Sequence, residues 1–251
     1  MVLVSAERRT TPDVSLVVPL YNEAESLPEL VAELGRLLAS QSGTRFELLF
    51  VDDGSTDGSL EVLRRLRRGL PELRVLRHAA NYGQSAALLS GFSAARAPIV
   101  VTMDADLQND PADVPRLLAA LPDCDLVSGV RAERRDLWRR RLSSRIAGLA
   151  RRAVLADGIT DAGCSLKAYR AEFLRELPAF DGLHRFLPAV IRARGGRVRE
   201  LPVRHRPRRH GRANYGIRDR LWRGLADLAG VRWLLRRSVA GRRVEEIERD
   251  V

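Results

Sequence analysis

Lysine is nearly missing from this 251-residue chain: Lys167 is the one lysine among 43 lysines and arginines. The identity of the cation therefore says little about partners, and its placement says more. Cysteine is scarce as well. Cys124 and Cys164 stand alone, with no C-x-x-C or metal-like spacing. That argues against a disulfide framework or a zinc site and fits a reducing compartment. No apolar run approaches the roughly 18–20 residues of a membrane span, and no secretory apolar core follows Met1. There is no G-x-G-x-x-G after the first apolar run and no G-x-x-x-x-G-K-[ST] anywhere. A dinucleotide-binding Rossmann site and a P-loop are thereby disfavoured. Histidine is rare, four in all, and His184 and His210 read as hydrogen-bonders of a helix and a loop rather than as catalysts.

What is present is unevenly charged. The net charge is +11, but residues 1–130 carry 12 basic against 18 acidic side chains, and residues 131–251 carry 31 against 14. The second half should seek an anionic partner: a phosphorylated substrate, a phospholipid surface or nucleic acid.

Apolar runs at Val14–Leu20, Phe46–Val51, Leu73–Arg77, Pro98–Met103 and Asp125–Val130 alternate with stretches of helical spacing. That alternation predicts an α/β fold with a mostly parallel sheet and helices on both faces. In such sheets ligands bind at the carboxyl ends of the strands. The polar clusters fall there: "YNEAE" after the first strand, "DDGSTD" after the second, "NYG" after the third and "DADLQ" after the fourth. Two later stretches, 136–155 and 217–237, have the spacing of amphipathic helices with dense arginine faces, and a charged tail ends the chain.

The chemistry concentrates in "DADLQ". Side chains alternate along an extended segment, so Asp104, Asp106 and Gln108 can share a face. Two carboxylates and an amide oxygen held together suit Mg²⁺ or Mn²⁺, which keep water and substrate phosphates as their other ligands. Asp52 and Asp53 end the second strand. Adjacent acids at a sheet mouth are costly without donors, and a nucleotide base or ribose supplies donors.

Taken in order, "VVPLYNEAESL", "FVDDGSTDGS", "NYGQSAALLSGF" and "DADLQNDP" resemble family 2 glycosyltransferases of the GT-A fold. "SGVR", "DAGCSLKAYR", "HRFLPA" and the R-x-x-G loop "RRHGRANYG" are similar to the branch that uses polyprenyl phosphates, the dolichyl-phosphate mannose synthases and undecaprenyl-phosphate sugar transferases. The resemblance runs from about Val14 to Arg237. It implies a transferase domain over residues 13–216, with a nucleotide-binding half to residue 110 and an acceptor half beyond, and a membrane-associating helix and tail over 217–251. It implies that Pro19, Tyr21, Asn22 and Glu23 line the nucleotide, with Asp52 and Asp53 at the base. Asp104 and Asp106 form the DxD pair, and Gln108 joins Asp106 on the Mg²⁺ or Mn²⁺. Arg131 and Arg145 face the acceptor phosphate, and Arg208 contacts the donor diphosphate. That loop reads Ala213-Asn214-Tyr215 where the family commonly has Ser-Lys-Tyr, so Arg209 or Arg212 takes over any cationic role at position 214.

The expected reaction moves a sugar from GDP-mannose or a UDP-sugar to a polyprenyl monophosphate, with inversion. Asp161 is a candidate for orienting an arginine, and Cys164 reads as a small packed residue. The expected location is cytoplasmic, peripheral on the inner face of the plasma membrane. There Trp138, Trp222, Trp233 and the leucines of the two basic helices would enter the interface, with or without a separate membrane-protein partner. Three rivals stay open: a family 2 transferase acting on a polysaccharide or soluble acceptor, a nucleic-acid-binding module, and a transferase-like scaffold without catalysis, which the intact DxD argues against. The second lacks any helix-turn-helix, RNP or finger pattern.

Overall fold

In the computed structural model the described residues are 11–131, 151, 154–155, 157–207 and 217–237, the last helix with side chains from 226 onward. Seven strands form one sheet in the order β3-β2-β1-β4-β6-β5-β7. They are β1 (Val14–Leu20), β2 (Phe46–Asp52), β3 (Leu73–Arg77), β4 (Ile99–Thr102), β5 (Leu126–Arg131), β6 (Lys167–Arg170) and β7 (Val198–Val203). All pairings are parallel except those of β6, which runs antiparallel to both β4 and β5.

β1 and β2 are buried at every residue, as strands covered on both faces must be. Their side chains divide between two cores. Leu16, Val18, Leu48 and Phe50 face α1 (Leu27–Ser40), α2 (Ser59–Leu66) and α4 (Val114–Ala120). Val17, Leu49 and Val51 face α3 (Gln84–Ala94) and α5 (Leu183–Ala193). α3 lies so close to β1 that a Cβ on Gly91 would stand 2.3 Å from Cγ1 of Val17, and only glycine fits there.

From β1 the chain winds outward to β2 and β3, then crosses back to β4 on the other side of β1. Loops after β1 and β4 therefore diverge and open a crevice at the carboxyl ends, the usual ligand position in such sheets. The second half shares this sheet: β6 enters between β4 and β5 and carries their register.

The last helix, α6 (Ile217–Arg237), docks on α5. Leu228 and Val231 are buried against Phe186, with Leu235 beside them, and Arg185 pairs with Asp227. Leu228 is thus spent on packing within the fold rather than on a membrane. Trp233 on the same helix is 61% exposed. Side chains 217–225 and residues 132–150, with Trp138 and Trp222, lie outside the described residues. No helix among the described residues is long and apolar enough to cross a membrane.

Candidate active site

The loops after β1 and β2 fasten to each other. Asn22 adopts a left-handed φ of 56°, and its Oδ1 accepts the N–H of Thr56 at 2.8 Å. Its own N–H donates to Ser55 Oγ at 2.9 Å. The Glu23 N–H donates to Ser59 Oγ, and that of Ala24 to Asp57 Oδ2, both at 3.0 Å. Asn22 and Glu23 thereby fix the loop's shape. Pro19 is buried inside β1 beside Val51, and Tyr21 stands 38% exposed at the mouth.

Asp52 and Asp53 are both buried, at 0% and 3% exposure, and they bond to different loops. Asp53 serves the fold. Its Oδ1 accepts from His78 Nδ1 at 2.6 Å and the Tyr82 N–H at 2.9 Å, and its Oδ2 from the Gly83 N–H at 2.7 Å. It pins the start of α3, and His78 passes the tie on to Ser90 Oγ at 2.8 Å. Asp52 is only half satisfied. Oδ1 accepts the Ser55 N–H at 2.9 Å, while the buried Oδ2 has no hydrogen-bond partner among the described residues. A buried carboxylate oxygen left this way is costly and fits a donor from a ligand. Gly54 allows the turn: its φ is +74°, and a Cβ would lie 2.5 Å from the Ala80 carbonyl carbon.

The DxD segment is not a continued strand. β4 stops at Thr102, and Leu107 takes a φ of 62°, which folds the chain back. The expected face survives the bend: Met103, Ala105 and Leu107 are buried, while Asp104, Asp106 and Gln108 are partly exposed. Asn109 holds the fold-back, its Oδ1 accepting from the Asp104 N–H at 3.3 Å and Ser165 Oγ at 2.8 Å. Asp104 Oδ1 accepts from Gln84 Nε2 at 2.8 Å, and Gln108 Nε2 makes a long contact of 3.4 Å to the Arg206 carbonyl. Burial and the neighbouring Asp106 charge push the Asp104 carboxyl up to about 6. Two carboxylates that repel in this way fit a divalent cation. Among the described residues no three His, Cys, Asp or Glu side chains gather as a metal cluster. A pair with open coordination positions suits Mg²⁺ or Mn²⁺ shared with a diphosphate.

Arg131, at the end of β5, is gripped by Asp161. Nε and Nη2 donate to the two carboxylate oxygens at 2.7 Å each, and its backbone N–H donates at 3.2 Å. Asp161 is 4% exposed, so this fork is well oriented. The expectation that Asp161 orients an arginine matches this geometry. Between the two sites lies Lys167 on β6, 3% exposed, donating to the Cys164 carbonyl. Burial lowers its pKa, while Cys164, Asp104 and Asp161 oppose that shift. Cys164 is 1% exposed and burial raises its thiol pKa, as expected of a packed residue. His184 bonds Ser85 Oγ through Nδ1 at 2.9 Å, and burial, then Arg185, lower it to about 3. A neutral hydrogen-bonder results.

Sequence reasoning passed over Gln84, His78, Asn109 and Lys167. Gln84 and Asn109 sit within the quoted motifs, so their signal was position beside an acid. Arg145, Arg208, Arg209, Arg212 and Asn214 lie outside the described residues. The segment leading to Arg208 is described: the Arg206 N–H donates to the Gln108 carbonyl at 2.8 Å, and Arg206 pairs with Glu33 and Asp110.

A sheet with this switch point, a DxD fold-back and no nucleotide P-loop defines a GT-A-like transferase. Residues 15–178 match the model of glycosyl transferase family 2, and the chain belongs to that family. It is 38% identical over 231 residues to the dodecaprenyl-phosphate galacturonate synthase of Rhizobium johnstonii, covering 89% of this chain and 68% of that protein. It is 40% identical over 215 residues to the undecaprenyl-phosphate 4-deoxy-4-formamido-L-arabinose transferase of Edwardsiella ictaluri, covering 83% of this chain and 65% of that one. The chain thus spans about two thirds of the length of these relatives. Among solved structures, glucosyl-3-phosphoglycerate synthase from Mycobacterium tuberculosis with Mn²⁺, UDP and its product superposes at a TM-score of 0.68. It is 20% identical, over 92% of this chain and 81% of that one. A mannosyltransferase from Pyrobaculum calidifontis with GDP-mannose and Mn²⁺ gives 0.61 at 22% identity, over 92% and 66%. These share the fold. Family membership favours the transferase reading over the nucleic-acid-binding one.

Proposed function

We propose that this protein transfers a sugar from a nucleotide-sugar to a polyprenyl monophosphate at a membrane surface. The observation that carries the reading is a juxtaposition. The Asp104–Asp106 pair follows the end of β4, the Asp161-clamped Arg131 ends β5, and one strand lies between β4 and β5. Two strand spacings are about 10 Å, room for a donor diphosphate beside an acceptor phosphate. The relatives named as polyprenyl-phosphate sugar transferases support the acceptor class.

In this reading Asp52 Oδ2 takes a donor from the base, and Tyr21 lies along the nucleotide. A divalent cation on Asp104, Asp106 and Gln108 supplies charge neutralisation for the diphosphate. Arg208 adds a guanidinium from the loop that Arg206 anchors. Arg131, with Arg145, orients the acceptor phosphate bidentately and offsets the repulsion between two anionic substrates. A phosphate oxygen attacks the anomeric carbon, the bond from that carbon to the diphosphate oxygen breaks, and the electron pair leaves with the nucleotide. Phosphate monoesters have a second pKa of roughly 6, so the nucleophile needs no general base, in keeping with a neutral His184. One displacement inverts the anomeric configuration. The site lies on the inner face of the plasma membrane, with α6 contributing to peripheral attachment.

The test is calorimetric titration of UDP, GDP, UDP-glucuronate and GDP-mannose with Mn²⁺ and then with EDTA, alongside Asp106→Ala. Metal-dependent binding of one nucleotide, lost in the variant, supports the reading. So does radiolabel from that donor passing into an organic-extractable glycolipid when polyprenyl phosphate is added. Label that stays water-soluble would shift the acceptor to a soluble compound or polysaccharide.

A further inference from the structure

Away from the sheet mouth, α5, α6 and Val154, Leu155 and Asp157 line a half-open cavity of about 330 Å³. Its wall has two characters. Val154, Leu155, Ala189, Ala193 and Leu235 form an apolar side, and Arg192, Arg232 and Arg236 supply three guanidinium groups. Arg232 and Arg236 are four residues apart and so share one face of α6, and Arg192 comes from α5. Among the described residues no carboxylate forms an ion pair with any of the three. Asp157 also borders the cavity but is spent: it is 1% exposed, its Oδ2 holds Arg151, and its Oδ1 accepts the Ile159 N–H at 3.2 Å. Arg232 donates to the Val154 carbonyl at 2.5 Å and Arg192 to the Val198 carbonyl at 3.4 Å, but carbonyls carry no net charge, and like charges on neighbouring helical turns repel.

We propose that this cavity is a binding site for the phosphate headgroup of an anionic phospholipid, separate from the acceptor phosphate site at Arg131. Guanidinium groups suit phosphate. The apolar wall suits the glycerol and upper acyl chain, which a free phosphate ion would not use. The helix that bears two of the arginines also presents Trp233, 61% exposed, with Arg237 stacked 5.6 Å from its ring centroid. An indole beside arginines is the usual composition of an interfacial anchor. The inference rests on the membrane-surface reading and gives it an address.

The experiment uses the full chain and co-sedimentation with vesicles of equal parts phosphatidylglycerol and phosphatidylcholine, against phosphatidylcholine alone. Arg192→Glu with Arg236→Glu is compared with Arg65→Glu with Arg68→Glu, the same charge change at the far edge of the sheet. The cavity variant should lose partitioning roughly tenfold beyond the control, because headgroup contacts go as well as the general surface attraction. Replacing chloride by inorganic phosphate at equal ionic strength should leave binding unchanged. Equal losses in the two variants would overturn the site, and release by inorganic phosphate would make it a free-phosphate pocket instead. Should the glutamates disturb the circular dichroism spectrum, the paired Arg→Gln variants carry the same comparison. If the unaltered protein ignores anionic vesicles, both the site and the membrane reading fall. Sugar transfer to detergent-solubilised polyprenyl phosphate judges the catalytic reading independently.

Discussion

Glu47 and Asp52, buried acids at opposite ends of β2, are treated in opposite ways. Where the strands begin, Glu47 is 5% exposed and surrounded by donors. Ser15 Oγ and Arg74 Nη1 each reach it at 2.5 Å, and the Arg96 N–H at 2.7 Å. Burial works to raise its pKa, but Ser15, Arg96 and Arg74 outweigh it, and the net shift is downward. Where the strands end, Asp52 keeps an oxygen with no hydrogen-bond partner among the described residues, and burial and Asp106 push Asp104 up to about 6. One end is finished by the fold. At the other, Asp52 and Asp104 lack that full set of donors, the pattern that the proposed function assigns to a ligand.

That contrast can be broken in several ways. Asp106→Ala should lower sugar transfer the most, by about 10²–10³-fold or more in kcat, with the circular dichroism spectrum unchanged. A variant that kept its rate would remove the DxD pair from the chemistry. Asp161→Asn should follow, raising KM for polyprenyl phosphate by about tenfold while nucleotide affinity in calorimetry holds, since it loosens the Arg131 fork. Glu47→Gln should cost about 3 kcal/mol in denaturant unfolding and leave nucleotide binding alone. Its sign with pH follows from the lowered folded value: the Glu47 contribution is present above the unfolded carboxylate range and lost as pH falls through the folded one. The variant's acid limb should therefore be flatter.

Asp104→Asn should do the reverse. A raised folded pKa means stability falls as pH rises from about 4 to about 6. In metal-free buffer at pH 7 the variant should be more stable by about 1–2 kcal/mol while transfer fails. Metal binding by the unaltered protein should weaken below about pH 6 and release a proton, read by calorimetry in two buffers of different ionisation enthalpy. Asp52→Asn carries the smallest effect, about tenfold in nucleotide affinity with little change in melting temperature.

Much of the fold was legible because its physics is local. A strand buried on both faces must be mostly apolar, and Val14–Leu20 and Phe46–Val51 are, with one polar residue each, Ser15 and Glu47, which bond to each other. The antiparallel insertion of β6 was not legible. Its four residues, Lys-Ala-Tyr-Arg, carry no periodicity that fixes direction, and a buried lysine reads as a surface residue. At the sheet mouth, the shared face of Asp104 and Asp106 was legible from their spacing. The division of labour between Asp52 and Asp53 did not, because which of two adjacent acids meets a backbone N–H depends on where Tyr82 and Gly83 return. The leucines of α6 left their partner open in the sequence: an amphipathic face looks alike whether it meets Phe186, as Leu228 does, or a lipid.

Lys167 also has a practical consequence. The only side-chain amine of the chain is sealed beneath the sheet mouth, 3% exposed. Brief pulses of an acylating reagent should leave it untouched in the native protein and mark it only in molecules whose β6 has come open. Intact mass after such pulses would count those openings one molecule at a time. Saturating nucleotide and metal should slow the count if the ligand ties β4 to its neighbours.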